Sequence, residues 1–334
     1  LIGIAAALDA NLGITAGAVI GGAYFGDKLS PLSDTTNLAA LAAEVDLHTH
    51  IRSMLWTTLP SAIIAFAIYY TLGVFYPPKL QDGGFGEVQS ILDQLSSIFN
   101  FSWLVLAPAI VVLAGSIFRL PTVPVLIGSV ILASVVAITL QPFTMTEVIT
   151  TLHQGFNLEM VLPGGHHTPE IADLLDRGGL YALNEPIIIA FMVFIFIGAT
   201  DKIDAMPTVV THLMRAVKSP RGTVLASLFA TGVTNAMTSN QFATSFIVGD
   251  AFKSKYDQQK VPRKVLSRSL EDTGTMLESL VPWHTSAIYM VVTLGVPFSE
   301  YWHWQCLSLC NILVATTLAA TGIGCFYPRK SSDE

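Results

Sequence analysis

The stretch Gly26-Asp27-Lys28-Leu29-Ser30-Pro31-Leu32-Ser33-Asp34-Thr35-Thr36-Asn37 decides the fold class of this chain. It places two carboxylates, a lysine and several hydroxyl or amide side chains between apolar runs at residues 14–25 and 55–75. The second run is long enough to cross a bilayer. Ionisable residues inside a membrane are costly, so we interpret them as functional. Pro31 lacks an amide hydrogen and predicts a helix break, with the helix resuming over residues 38–45.

The composition is that of a membrane protein. Hydrophobic residues make up 52% of the chain and charged residues 12%, and the mean hydropathy is +0.58. A soluble domain carries about 25% charged residues. We therefore predict an all-α polytopic membrane protein. Cys306, Cys310 and Cys325 all lie in the last apolar segment and are interpreted as packing residues rather than as a disulfide framework or a metal site.

Further membrane segments are predicted from the apolar runs at residues 53–76, 101–118, 120–140, 186–200 and 300–327. Residues 221–252 are apolar but are interrupted by the polar residues 234–241, and basic residues flank the segment on both sides. Because cytoplasmic loops carry an excess of Lys and Arg, we place both ends in the cytoplasm. This placement predicts a re-entrant hairpin with residues 238–241 near the bilayer midplane.

A second broken segment is predicted at residues 269–296, which contain Glu271-Asp272-Thr273-Gly274-Thr275 and Pro282. The two broken segments cross in opposite senses, and this order predicts inverted repeats whose breaks meet near the midplane. Residues 1–76 are then the end of the first repeat, with an N-terminal part missing. Residues 77–185 are connecting spans and a polar loop, and residues 186–334 are the second repeat.

Both blocks resemble the signatures of the NhaC-type sodium/proton antiporters, a family of the ion transporter superfamily. Residues 26–37 are similar to the first signature, and residues 266–275 with 281–285 are similar to the second. The resemblance covers nearly the whole chain and implies inverted repeats, re-entrant hairpins and often a homodimeric scaffold. The chain departs from the family pattern at Asn240, Glu278 and His284, which leaves the coupling ratio and the substrate open.

Sodium is a hard cation that prefers oxygen ligands, and the two blocks and the hairpin tip supply them. The candidate ion-binding or proton-coupling residues are Asp27, Asp34, Thr35, Thr36, Asn37, Asn235, Ser239, Asn240, Asp272, Thr273, Thr275, Glu278 and His284. We expect Na⁺ itself at Asp34, Thr36, Asn235 and Asp272. Lys28 is interpreted as the charge-balancing partner of Asp27 or Asp34. A salt bridge or helix cap is the alternative for each acid, and a packed, hydrogen-bonded histidine is the alternative to a proton relay at His284.

The predicted function is secondary transport that exchanges Na⁺ for H⁺ across the plasma membrane, by a multi-pass protein without cofactor, enzymatic activity or nucleic-acid partner. The alternative is a Na⁺- or H⁺-coupled exchanger of organic acids such as malate and lactate. That substrate needs an anion-binding feature, and Lys28 is the only lysine or arginine that we place at the midplane. A membrane enzyme would need a catalytic cluster, for which the sequence offers only the loop with His166 and His167.

Overall fold

The computed structural model describes residues 1–31, 33–77, 84–118, 120–161, 171–172, 175–176, 178–203 and 205–327. Within these ranges all regular structure is helical. The chain divides into two compact units. One comprises Leu1–Asn11 and Pro78–Glu185, and the other comprises Leu12–Pro77 and Pro186–Glu334. The division into inverted repeats stays a prediction.

In chain order the helices are α1 (Ile2–Ala7), α2 (Leu12–Lys28), α3 (Asp34–Ala42), α4 (Leu47–Phe75), α5 (Gly84–Ile98), α6 (Ala107–Ile117), α7 (Thr122–Leu140), α8 (Met145–Gln154), α9 (Leu158–Val161), α10 (Asn184–Asp201), α11 (Ala205–Ala216), α12 (Pro220–Thr238), α13 (Gln241–Gln258), α14 (Arg263–Thr273), α15 (Thr285–Leu294), α16 (Phe298–Tyr301) and α17 (Cys306–Thr321). Short 3-10 helices lie at Trp103–Leu106, Leu180–Leu183, Thr275–Leu280 and Trp302–Trp304.

Several helices are long and apolar enough to cross a membrane. In the described ranges these are α4 and the Val123–Leu140 part of α7. Two bent helix pairs also qualify when each is taken as one span: Leu92–Ile98 with Trp103–Gly115, bent by 87°, and Phe298–Trp304 with Cys306–Thr321, bent by 46°. The prediction of an all-α polytopic membrane protein with broken helices is confirmed.

The first break separates α2 from α3. It begins after Lys28 and ends at Ser33, whose hydroxyl accepts a hydrogen bond from the Thr36 amide (3.4 Å) and caps α3. The predicted restart at residue 38 was therefore wrong, because the polar residues 34–37 form the first turn of the helix. A hydroxyl cap followed by an acid at the first helical position favours a start at Asp34.

The segment predicted as a hairpin consists of α12 and α13, which pack against each other. They are separated at Ser239, which adopts a left-handed conformation with φ of 48°, and at Asn240. The Asn240 side chain caps α13 by accepting a hydrogen bond from the Ala243 amide (3.1 Å). The helix–break–helix form agrees with the predicted hairpin, whereas its re-entry into the membrane stays a prediction.

The second break follows α14 and begins at Gly274. A Cβ atom at this position would lie 2.2 Å from the Leu270 carbonyl oxygen and 2.3 Å from Gln241 Oε1. Glycine is therefore required, because any side chain would collide with the backbone of α14 and with the hairpin tip. The chain continues through Thr275–Leu280 and becomes α-helical again in α15. The broken segment predicted at residues 269–296 is confirmed.

A surface ion-pair cluster fixes the mutual direction of α3, α13 and α14. Glu44, just beyond α3, pairs with Lys253 (2.8 Å) and with Arg263 at the start of α14. Hydrogen bonds from Lys253 and Arg263 hold the pKa of Glu44 below its usual range. The end of α3 and the start of α14 therefore lie together at this cluster. The start of α3 lies about 13 Å away along its helix, on the side where α14 ends. Measured along these helices, the two breaks and the hairpin tip thus lie at a similar distance from the cluster.

Candidate functional site

A buried ion pair joins the two signature blocks. Lys28, the last residue of α2, pairs through Nζ with Oδ1 of Asp272 near the end of α14, and both side chains are at most 1% exposed. Lys28 Nζ also donates to Asn311 Oδ1 (3.2 Å). Asp272 Oδ1 accepts from Thr57 Oγ1 (2.8 Å) and Asn311 Nδ2 (3.1 Å). The predicted pairing of Lys28 with Asp27 or Asp34 is wrong in this structure, because the ammonium reaches across to the second block.

A second buried cation lies beside the same carboxylate. Arg268 is 3% exposed, and its Nε lies 3.8 Å from Asp272 Oδ2. Its Nη1 donates to the carbonyl oxygens of Gly324 (3.1 Å) and Ser53 (3.4 Å). Lys28 is therefore not the only buried cation beside Asp272, and its place as the only lysine or arginine at the midplane stays a prediction. The spacing of Arg268 and Asp272, four residues apart on a helix, is the sequence signal for this pair.

Residues at the hairpin tip form hydrogen bonds with the backbone at the second break. The Asn235 amide donates to the Gly274 carbonyl oxygen (2.9 Å), and the Gln241 amide donates to the Leu270 carbonyl oxygen (2.9 Å). His284 Nδ1 accepts from the Ser286 amide (3.1 Å) and caps α15, while Nε2 lies 3.4 Å from Asn235 Oδ1. These contacts favour the packed, hydrogen-bonded alternative for His284. Sequence reasoning missed Gln241.

Two carboxylates adjoin an open cleft of about 410 Å³. Asp27 lines the cleft and is half-buried, and its Oδ2 accepts from Thr35 Oγ1 (3.4 Å). Glu278 is 8% exposed and accepts from Ser286 Oγ (2.6 Å) and Tyr24 OH (3.4 Å). The cleft-lining residues are Ala23, Tyr24, Asp27, Thr285, Ser286, Tyr289 and Met290.

The remaining candidates of the first block differ in burial. Thr36 is buried, and its hydroxyl donates to the Lys28 carbonyl oxygen (3.4 Å). Asp34 and Asn37 are exposed. Asp34 accepts a hydrogen bond from the Thr35 amide (2.9 Å), and Asn37 donates to the Ser33 carbonyl oxygen (2.6 Å). These contacts are those of a helix start, which was the alternative considered for Asp34.

The remaining candidates of the second half are mostly buried. Thr273 Oγ1 donates to the Leu228 carbonyl oxygen (2.8 Å) and thereby links α14 to α12. Ser239 Oγ and Thr275 Oγ1 are buried without a hydrogen-bond partner among the described residues. The Asn240 side chain caps α13 by accepting a hydrogen bond from the Ala243 amide. Within the described residues the side chains of Thr275 and Ser239 therefore make no hydrogen bond, whereas those of Thr273 and Asn240 do.

Only three of the four residues expected to bind Na⁺ lie in the buried part of the site; the four are Asp34, Thr36, Asn235 and Asp272. Asp272, Thr36 and Asn235 are buried around the two breaks, but each makes internal hydrogen bonds, and Asp34 is exposed. Within the described ranges, no group of three His, Cys, Asp or Glu side chains is placed to hold a metal ion. The sodium role of these four residues stays a prediction. His166 and His167 lie outside the described residues.

A buried acid that was not among the predicted ligands adjoins the ion pair. Glu271 is 0% exposed, and neither carboxyl oxygen has a hydrogen-bond partner among the described residues. It precedes Asp272 but faces a different side of α14, because successive helical residues are about 100° apart. Its position as an ionisable residue within a segment predicted to lie in the membrane is the sequence signal that could have identified it.

A helical membrane protein with buried ionisable groups at helix breaks has the architecture of an ion-coupled secondary transporter. The chain belongs to the Na⁺/H⁺ antiporter family, whose model matches residues 22–323. An uncharacterized Na⁺/H⁺ antiporter of Haemophilus influenzae is 37% identical over 339 residues, covering 98% of this chain and 70% of the relative. The Na⁺/H⁺ antiporter NhaC of Bacillus subtilis is 33% identical over 306 residues, covering 90% and 65%.

A more distant relative, the malate-2H⁺/Na⁺-lactate antiporter of Bacillus subtilis, is 28% identical over 332 residues, covering 99% of this chain and 69% of the relative. The chain thus spans about two thirds of the length of these relatives. No solved structure matches it. The family assignment confirms the resemblance to NhaC-type antiporters and the prediction of a transporter rather than an enzyme. It also confirms the prediction of a multi-pass protein of the cell membrane.

Proposed function

We propose that the full-length protein exchanges Na⁺ for H⁺ across the cell membrane. The observation that carries this proposal is the group of carboxylates at the two helix breaks. Glu271, Asp272 and Glu278 are buried, and Asp27 lines the adjoining cleft. Buried carboxylates favour a site for small cations, because either a sodium ion or a proton neutralises the charge that burial disfavours.

The same site provides no unpaired lysine or arginine for an anion among the described residues. Lys28 is held by Asp272 and Asn311, and the Arg268 guanidinium is held by backbone carbonyl oxygens. The residues that line the 410 Å³ cleft include Asp27 but neither lysine nor arginine within the described part of the chain. An organic acid would therefore meet a carboxylate instead of a free cation. This favours Na⁺/H⁺ exchange over malate or lactate exchange, although a relative is named as a malate/lactate antiporter.

Exchange requires that the empty, charged site does not reorient freely. The Lys28–Asp272 pair supports this requirement, because it ties the end of α2 to the end of α14 and would have to break before the two segments could separate. A sodium ion that reached Asp272 would have to displace the lysine. The homodimeric scaffold implied by the family resemblance is part of this proposal, and light scattering on the purified full-length protein would test it.

The test uses full-length protein in sealed proteoliposomes with an acidic interior, reported by a pH-sensitive dye. Adding Na⁺ outside should raise the internal pH within the assay time, whereas equal concentrations of K⁺ or malate (as its K⁺ salt) should not. Protein-free liposomes are the control for leakage. A response to malate without Na⁺ would favour the organic acid exchanger, and no response to Na⁺ would contradict the proposal.

A further inference from the structure

The strongest unassigned feature of the described chain is the Glu271 carboxyl. A carboxylate can accept about four hydrogen bonds, yet both oxygens of Glu271 are buried without a partner in the part of the chain that the structure describes. Leaving a buried polar group unpaired costs about 1–3 kcal/mol, and more for a charged group. Such a group in a native protein therefore indicates a bound ion, a bound water or a functional role.

The neighbouring acid is not available in the same way. Asp272 Oδ1 is engaged by Lys28, Thr57 and Asn311, and Oδ2 faces Arg268. A cation could bind there only after Lys28 leaves. Glu271 needs no such displacement, because among the described residues no cation is paired with its carboxyl and neither oxygen has a hydrogen-bond partner. The two adjacent acids thus have separate roles: Asp272 holds the blocks together, and Glu271 is open to an ion.

A second oxygen without a hydrogen-bond partner among the described residues lies four positions after Glu271, just beyond the break at Gly274. Thr275 is 1% exposed, and its Oγ1 also lacks a partner among the described residues. The charged groups that act on Glu271 include Lys28, Asp27 and Glu278. Lys28 and Arg268 are outnumbered by the carboxylates of Asp272, Asp27 and Glu278, so the net influence of these charges on a cation at Glu271 is attractive. Asp27 lines the open cleft, and Glu278 accepts a hydrogen bond from Ser286, which also lines it.

We infer that Glu271, together with Thr275, directly binds the transported cation, which enters from the cleft past Asp27 and Glu278. This inference rests on the proposed function and names the ligand of its cation. The carboxylate supplies the charge, and the hydroxyl supplies a neutral oxygen, which is a donor set suited to a hard monovalent cation.

The test measures equilibrium binding of ²²Na⁺ to purified full-length protein at one fixed alkaline pH. Glu271→Gln keeps the shape of the side chain and removes its charge, and it should weaken Na⁺ binding at least ~10-fold. Thr275→Val should weaken it by a smaller factor. Glu300→Gln and Thr316→Val are matched controls, because both residues are exposed, and both variants should bind as the wild type does.

Unchanged Na⁺ affinity in a folded Glu271→Gln variant would overturn the inference. A buried water would then be the explanation for this unpaired carboxyl. If Glu271→Gln does not yield monodisperse protein, Glu271→Asp decides the question. A carboxylate withdrawn by one methylene should bind Na⁺ more weakly and change the preference between Na⁺ and Li⁺, whereas wild-type affinity and preference would overturn the inference. Absence of saturable Na⁺ binding in the wild type would instead overturn the proposed function, and this inference with it.

Discussion

Lys28, the last residue of α2, forms a buried ion pair with Asp272 in the opposite half of the sequence. The two residues are separated by 244 positions, and each belongs to one of the two signature blocks. Neither side chain is accessible to solvent beyond 1%. The pair therefore fixes which parts of the two broken segments face each other.

Removing one partner of this pair should destabilise the protein more than removing both. Asp272→Asn leaves Lys28 and Arg268 buried without their carboxylate partner, and should lower the free energy of unfolding by about 3 kcal/mol. The double variant Lys28→Met/Asp272→Asn leaves one buried cation instead of two and should be more stable than Asp272→Asn. Unfolding in detergent measures both. Additive effects of Lys28→Met and Asp272→Asn would show that the two residues are not coupled.

Two glycines of α2 give a matched test of helix packing. A Cβ atom at Gly17 would lie 2.4 Å from the Trp304 carbonyl oxygen, whereas one at Gly22 would have nothing within 4 Å. Gly17→Ala should therefore cost about 1–3 kcal/mol through overpacking. Gly22→Ala should be neutral or slightly stabilising, because alanine is the better helix former. Thermal unfolding of both variants measures the difference, and equal midpoints would contradict the packing of α2 on Trp304.

The two acids of the first block should differ in importance for transport. Asp27 lines the cleft, whereas Asp34 is exposed at the start of α3. An acid at this helix position contributes typically 0.3–1 kcal/mol to stability. We expect Asp27→Asn to slow ²²Na⁺ uptake at subsaturating Na⁺ by at least ~10-fold, and Asp34→Asn by less. A larger loss in the Asp34 variant would restore the sodium role that the sequence predicted for it.

The hairpin prediction can be tested by labelling from each side of the membrane. Cysteines replace Ser219, before α12, and Gln258, at the end of α13, in a full-length variant without other cysteines. Both positions are exposed. A membrane-impermeant maleimide should label both from the cytoplasmic side and neither from outside. Labelling of the two positions from opposite sides would mean that α12 and α13 do not re-enter, and the topology would then be wrong.

The sequence predicted where the helices break better than it predicted which side chains pair with each other. Helix breaks are local events, and Pro31, Gly274 and the polar tip at Ser239 mark them in the sequence. Pairing depends on which helix faces pack, and this is a long-range property. The sequence therefore showed that Lys28 was unusual, but not that Asp272 rather than Asp34 would neutralise it.

Two further differences have simple physical reasons. Arg268 was not among the candidate site residues, but it lies on the buried face of α14 and donates to backbone carbonyl oxygens. Glu271 was overlooked because its neighbour Asp272 carries the same charge, and a linear motif does not separate the faces of a helix. The rule that an ionisable residue inside a membrane segment is a candidate for function applies to Glu271 as much as to Asp272.

The central claim, that sodium and proton movements are coupled through this protein, is tested most directly by a sodium gradient imposed without a pH gradient. Full-length protein is reconstituted in liposomes loaded with Na⁺ and diluted into a Na⁺-free buffer of the same pH, with the membrane potential clamped. The lumen should acidify as Na⁺ leaves, and reversing the gradient should make it alkaline. Equal K⁺ gradients should leave the pH unchanged. A lumen that does not respond to either Na⁺ gradient, while ²²Na⁺ still crosses the membrane, would contradict exchange.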